Sequence, residues 1–282
     1  MLSYRHMFHV GNFADVFKHA LLTRLVIALA AKDKPFLYLD THAGIARYDL
    51  RHSWAQKARE YENGIARVWK AKDAPPEIQP YLEAVHELNP DGKLRYYPGS
   101  PLIAKRFARA EDRIVLVELN KTDQLELQAV FERERHVAVR LLDGYESLKA
   151  YLPPAERRGL VLIDSSFDRA RELDRIVKAL KAAHARWTTG VYAIWYPLME
   201  PASIRDFTNS IARSGIRKIL RLEIEVRERN EGESELIPGC GMLVVNPPWH
   251  FDAEAKPIVQ WLAKKLAVSG PGLARLDWLV LE

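Results

Sequence analysis

Four short apolar runs that each meet an acid at their far end constrain this chain most. Residues 36–40 close on Asp40, 114–119 carry Glu118, 137–142 lead into Asp143, and 160–164 close on Asp164. With a fifth run at 191–196, they are rich in Val, Ile, Leu and aromatics and bounded by turn or charged residues. Such runs read as buried strands of a mainly parallel sheet. Helical patterns alternate with them. Phe13, Val16, Phe17, Ala20 and Leu21 recur at helical spacing behind Asn12, a good N-cap, giving an amphipathic first helix. Leu173, Ile176, Val177 and Leu180 do the same later. Strand–helix alternation predicts an α/β fold.

Two segments depart from the alternation. The runs 216–226 and 241–245 are joined by a polar loop rich in Gly and Glu, which predicts an antiparallel hairpin at the sheet edge. More than seventy residues separate the first two strands, far more than a crossover needs. Within them 53–71 and 76–88 look helical, punctuated by Pro75, Pro76, Asn89, Pro90 and Gly92. Residues 50–96 are therefore expected to form a helical insertion in a main domain of 1–49 and 97–282, with 1–12 as an N-terminal arm.

The chain has 282 residues, 48% of them hydrophobic, with 42 Lys and Arg against 37 Asp and Glu. A net charge of +5 attracts a polyanion only if the fold focuses it. One cysteine, Cys240, excludes an intramolecular disulfide framework and a Cys-rich zinc site, so no metal is expected. The polar start carries Arg5 and His6, unlike a signal peptide, and no apolar run approaches the ~20 residues that span a bilayer. A cytoplasmic protein without membrane contact is expected.

Open α/β sheets bind ligands at the carboxyl ends of their strands. There the sequence places Asp40-Thr41-His42-Ala43-Gly44, then Glu118, Asp143-Gly144 and Asp164-Ser165-Ser166-Phe167. Any one acid there caps backbone N–H groups as readily as it meets a ligand. Four together point to a nucleoside-bearing cofactor, with the acid of the second strand receiving the ribose hydroxyls. Neither G-x-G-x-x-G nor G-x-x-x-x-G-K-[ST] occurs, so no glycine nest awaits a pyrophosphate. S-adenosylmethionine, with ribose and adenine but no phosphate, fits best. The residues alone single out Glu118 and Asp164.

Longer blocks carry a resemblance. They are Met1-Leu2-Ser3-Tyr4-Arg5-His6, Gly11-Asn12, Ala14-Asp15-Val16, Lys18-His19 and Asp33-Lys34-Pro35-Phe36-Leu37-Tyr38-Leu39-Asp40-Thr41-His42-Ala43-Gly44. Others are Leu94-Arg95-Tyr96-Tyr97-Pro98-Gly99-Ser100-Pro101-Leu102-Ile103-Ala104, Gly215-Ile216-Arg217-Lys218-Ile219-Leu220 and Val245-Asn246-Pro247-Pro248-Trp249. End to end, the chain resembles the bacterial 23S ribosomal RNA adenine-N6-methyltransferases of the RlmJ type. The resemblance implies a Rossmann-like class I methyltransferase sheet, mostly parallel with an antiparallel edge hairpin. It implies S-adenosylmethionine as cofactor, S-adenosylhomocysteine as product and 23S ribosomal RNA as partner; the RNA is expected to be free of protein, because bases deep in the ribosome must be reached before assembly finishes, and the enzyme is expected to be a monomer. His19, His42, Ser100, Glu118, Asp143, Gly144 and Asp164 are implied at the cofactor. Asp164 is also implied as acceptor for the target adenine's amino group, with Phe167 and Tyr4 at the reacting centre. Tyr4 is also implied at the RNA, and the basic and aromatic character of the first nineteen residues places Arg5, His6 and Lys18 there too, with the arm as a lid.

Each residue also has a plainer reading. Ser100 before Pro101 is a common helix N-cap pair, His19 suits a core position, and Asp143-Gly144 suits a turn. Where the family has Asp-Pro-Pro-Tyr, this chain has Asp164-Ser165-Ser166-Phe167. Losing both prolines removes stiffness, so a weakened or non-catalytic RNA- and cofactor-binding relative is the second reading. Asn246-Pro247-Pro248-Trp249 matches the pattern better, but it follows a strand expected to run antiparallel, which puts it at the wrong end of the sheet. An older description of the family, a role in using external DNA as a nutrient, finds no nuclease-like acid pair here. Arg95, Lys105-Arg106, Arg109, Arg157-Arg158 and Arg217-Lys218 are expected to widen the RNA face. Arg47, Arg51, His52, Lys57, Arg59 and Arg67 are expected to make the insertion a substrate-recognition element.

Overall fold

The computed structural model describes residues 5–167, 171–228 and 237–282. Helix α1 (Phe13–Ala30) leads into strand β1 (Leu37–Asp40). The segment before the next main strand holds β2 (Arg47–Asp49), α2 (Ser53–Ala58), α3 (Ile65–Val68), α4 (Gln79–Glu87), β3 (Tyr96–Pro98) and α5 (Ser100–Phe107). There follow β4 (Arg113–Glu118), α6 (Lys121–Val130), β5 (Val137–Leu141), α7 (Gly144–Tyr151), β6 (Gly159–Ile163) and α8 (Glu172–Arg186). The chain closes with β7 (Val191–Pro197), α9 (Pro201–Ala212), β8 (Ile219–Glu225), β9 (Gly239–Val245), α10 (Phe251–Leu266) and β10 (Leu273–Val280).

The main sheet has the order β10-β8-β9-β7-β6-β1-β4-β5, and β2 pairs with β3 in a small second sheet. All pairings from β5 across to β7 are parallel. Strand β9 runs antiparallel to both β7 and β8, as expected of the hairpin. The hairpin is not the edge, because β10 covers β8 in an antiparallel pairing. The chain passes outward from β1 to β4 and β5, then returns to the other side of β1 at β6. That reversal is where open α/β sheets bind their ligands.

Two cores follow from the period-2 alternation of strand side chains. Tyr38, Ile114, Leu116, Leu160 and Leu162 face α1, α5 and α10. Leu37, Leu39, Val115, Val161 and Ile163 face α7, α8 and α9. Helix α1 is buried nearly all round rather than amphipathic, because α4, α5 and α10 pack on it as well as the sheet. Its cap is the expected one, with the Asn12 side chain accepting from the Asp15 N–H.

The stretch 53–71 is not one helix. Arg59, at φ +53°, ends α2, and a 3-10 turn leads to α3. The break lets Gly64 lie against the start of α1, where a Cβ would sit 2.0 Å from the Gly11 carbonyl oxygen. Helices α3 and α4 pack on α10, α1 and α5, sharing the first core.

Candidate active site

A cavity of about 340 Å³ opens at the carboxyl end of the parallel strands, within the size range of small-molecule sites. His19, His42, Ser100, Glu118, Asp143, Gly144, Asp164 and Phe167 all line it, as does His6. Asp40, the fourth strand-end acid, does not. It lies fully buried beneath Ser100, accepting from the Tyr38 hydroxyl at 2.8 Å and the His42 N–H at 3.3 Å. Burial raises its carboxyl to about 6 against the pull of hydrogen bonds from Ser100 and Tyr38. Ser100 therefore differs from the N-cap reading: Gly99 caps α5, and Ser100 is the first helical residue, its side chain bonded to Asp40.

On the β4 side of the cavity, two backbone N–H groups fix the Glu118 carboxylate. Glu118 accepts the Asn120 N–H on Oε1 at 2.7 Å and the Gly44 N–H on Oε2 at 3.0 Å. Burial raises its carboxyl above the usual range despite those bonds. Across the cavity Gly144 begins α7. A Cβ there would meet the Thr41 carbonyl oxygen at 2.3 Å and His42 at 2.8 Å, so only glycine lets these two turns touch. The Asp143 side chain caps α7, so its turn reading and its place in the cavity wall coexist. His19 donates or accepts with the Tyr97 hydroxyl at 2.8 Å. Burial, with Lys18 nearby, holds its imidazole well below the usual range, so it is neutral at neutral pH.

Asp164 follows β6 and is held by α1. Lys18 Nζ donates to its Oδ2 at 2.5 Å and sits 3.0 Å from Asp15 Oδ1. The Lys18 side chain is only 6% exposed. It is therefore an inward ion-pair partner, not the surface cation expected at an RNA phosphate. Burial opposes its charge, but the two carboxylates raise its ammonium well above the ordinary lysine range. Asp15 also accepts from Gly11 N–H at 2.9 Å and contacts His6 Nε2 at 3.0 Å, tying the arm to the same network. Arg5 pairs with Asp123 at 3.8 Å and lies over Trp54. Tyr4 lies outside the described residues.

Several cavity residues carry no signal in the sequence. Phe167 packs its ring edge-on to Trp195 at 5.6 Å, and Pro197, Ile237 and Val268 continue that apolar wall, with Arg227 beside them. Glu60 and Asn63 of the insertion also line the cavity, and Glu60 bonds both His9 and Asn12. Apart from Phe167, these residues come from strand ends, loops and a 3-10 turn distant in sequence, and no motif marks them.

The basic clusters do not gather at the cavity. Arg109, Arg157-Arg158 and Arg217-Lys218 precede β4, β6 and β8, at the opposite end of the sheet. Arg106 pairs with Glu87, Lys105 with Glu134, Arg95 with Asp49, Arg109 with Asp112 and Lys218 with Glu282. In the insertion Arg59 pairs with Glu62, and Arg67 donates to the Ala267 carbonyl. Asn246 donates to the Thr188 and Gly190 carbonyls ahead of β7, which confirms that its Pro-Pro motif lies opposite the cavity.

Among the described residues, no group of three or more His, Cys, Asp or Glu is arranged to hold a metal ion. No described helix is long and apolar enough to cross a membrane.

The family model for "Ribosomal RNA large subunit methyltransferase D, RlmJ" matches residues 33–280. "Ribosomal RNA large subunit methyltransferase J" of Escherichia coli (strain K12) is 42% identical over the full length of both chains. The protein of the same name from Haemophilus influenzae is 41% identical, again over both full lengths. A crystal structure of protein LPL1258 from Legionella pneumophila superposes with a TM-score of 0.88 at 36% identity, covering 96% of this chain and 98% of that one.

Proposed function

Because the chain belongs to the RlmJ family of large-subunit ribosomal RNA methyltransferases, we propose that it methylates N6 of an adenine in 23S ribosomal RNA, taken as protein-free RNA. S-adenosylmethionine is the methyl donor in this reading, supplying an electrophilic methyl on a sulfonium. The donor set suits it. Glu118 has lone pairs left for a ribose diol, the Gly144–His42 contact makes a close wall, and the sequence carries no glycine-rich phosphate motif.

One observation carries the reading: Asp164 stands beside an aromatic wall with one carboxylate oxygen committed to Lys18. No hydrogen bond from a described residue reaches Oδ1, which leaves it to accept from an exocyclic amine. An acceptor on the amino hydrogens helps the nitrogen pyramidalise and frees its lone pair for attack. Phe167 offers a face to a base that has left its stack, and Trp195 supports that ring. Arg227 is the cation on this side of the cavity suited to a flanking phosphate. His6 and Arg5 belong to the arm that would close over the RNA, together with Tyr4.

The test is the product. Unmodified, protein-free 23S RNA incubated with S-adenosylmethionine and digested to nucleosides should yield N6-methyladenosine. A methyl group on another base or on ribose would refute the assignment of the target atom.

A further inference from the structure

The Asp164-Ser165-Ser166-Phe167 loop must hold a carboxylate and a ring in one geometry without proline to stiffen it. Phe167 sits at φ +54°, a conformation that needs support in a non-glycine residue. The support lies in α8. Ser165 is 5% exposed, and its hydroxyl donates to Glu172 Oε1 at 2.5 Å. The Phe167 N–H approaches the same hydroxyl at 3.5 Å. Glu172, also 5% exposed, accepts the Tyr145 hydroxyl on Oε1 at 2.6 Å and Arg175 Nη1 on Oε2 at 2.9 Å. Arg175 lies 4.7 Å over the Tyr145 ring, and its Nη2 is 3.7 Å from Asp143 Oδ2.

We propose that Glu172 is a positioning residue, a buried carboxylate that clamps the Asp164–Phe167 loop through Ser165 and ties it to the cofactor-side turn at Asp143–Tyr145. The inference rests on the methyltransferase reading for its kinetic consequence, not for its structural one. A serine hydroxyl has one proton to donate, and here it goes to an ionised acceptor, the stronger kind of hydrogen bond. That bond restrains the backbone from the side-chain direction, as a proline ring would from within the chain. Glu172 at the first turn of α8 also suits the positive end of the helix. A role confined to capping that helix would leave loop and turnover indifferent to Ser165.

The experiment compares wild type with S165A, S165T and E172Q in the full chain. Hydrogen–deuterium exchange reads the loop independently of activity, methyl transfer reads kcat and KM, and calorimetry reads cofactor affinity. S165A should speed exchange of the Ser166 and Phe167 amides by about tenfold or more. It should lower kcat by about tenfold, the equivalent of ~1.4 kcal/mol in the barrier, with cofactor Kd and melting temperature nearly unchanged. S165T, which keeps the hydroxyl, should restore both readouts to within a few-fold of wild type. E172Q should lower kcat and weaken cofactor binding together, because the tie to Asp143 is cut. Unchanged exchange in S165A overturns the clamp. So does a defect that S165T fails to rescue, or E172Q behaving as wild type. Slow exchange in wild type with no methyl transfer to any RNA would instead refute the methyltransferase reading and leave the clamp standing.

Discussion

Asp164 and Asp40 end neighbouring strands, yet their surroundings give them opposite tasks. Asp164 is neutralised by a buried lysine and reaches the cavity; Asp40 lies under it, bonded to Ser100 and Tyr38, and pairs with no cation among the described residues. Burial lifts the Asp40 carboxyl to about 6, above the value of the unfolded chain. Between roughly pH 4 and 6 the folded state then holds a proton that the unfolded state has lost. Its contribution to stability is full below that window, declines as pH rises through it, and is flat above. Asp40→Asn should remove this slope, which denaturant titrations across the window would reveal. An unaltered slope would place the titrating group elsewhere. At this scale the sequence was legible where an acid ends a strand, and Glu118, Asp143 and Asp164 do share one cavity. It misled at Lys18, because nothing local distinguishes a lysine that turns inward to two acids from one that faces solvent.

Helix α1 is the element that organises the site. Its first turns carry Asp15, Lys18 and His19, and the chain His6–Asp15–Lys18–Asp164 links the arm to the loop after β6. Removing the cation leaves the buried Asp15 carboxylate without its lysine and the partly buried Asp164 carboxylate unpaired. Lys18→Met should therefore destabilise the fold by about 3–5 kcal/mol, the usual cost of breaking a buried ion pair from one side. Urea unfolding would measure it, and a loss under about 1 kcal/mol would mean water reaches the network. The helix start was readable from Asn12, whereas the burial of the whole helix was not, because its second cover comes from the insertion and α10. Strand β10 escaped notice for a related reason. It pairs by one edge and is half exposed, with Arg275 and Asp277 among its apolar residues, so it lacks a buried strand's apolar run. The insertion helix broke at Arg59 because α3 must dock on Gly11, a tertiary demand invisible in helical periodicity.

For the whole molecule, the acids meet because β5, β4, β1 and β6 are adjacent and parallel, so their carboxyl ends form one rim. The alternation of strands and helices made that order readable. The distribution of charge was not readable, since pairing happens between residues far apart in sequence. The excess of +5 is spread over ion pairs and over the far end of the sheet, so the described residues form no broad basic face at the cavity. RNA binding should then depend on salt only moderately. Two to four phosphate contacts on single-stranded RNA predict a log–log slope of roughly −1.5 to −3. A slope near about −7, read from affinity over a salt series, would require some ten contacts and contradict this view of the surface.

In the proposed reaction Asp164 serves methyl transfer to large-subunit ribosomal RNA without the prolines of the family motif. The most direct test measures transfer of labelled methyl from S-adenosylmethionine to unmodified, protein-free 23S RNA by wild type and by Asp164→Asn. Wild type should transfer readily and the variant should lose about a hundredfold or more, the scale set by removing one preorganised polar contact from a reacting centre, while calorimetry shows cofactor binding by both. Cofactor binding without transfer by wild type, or transfer that survives in the variant, would contradict it.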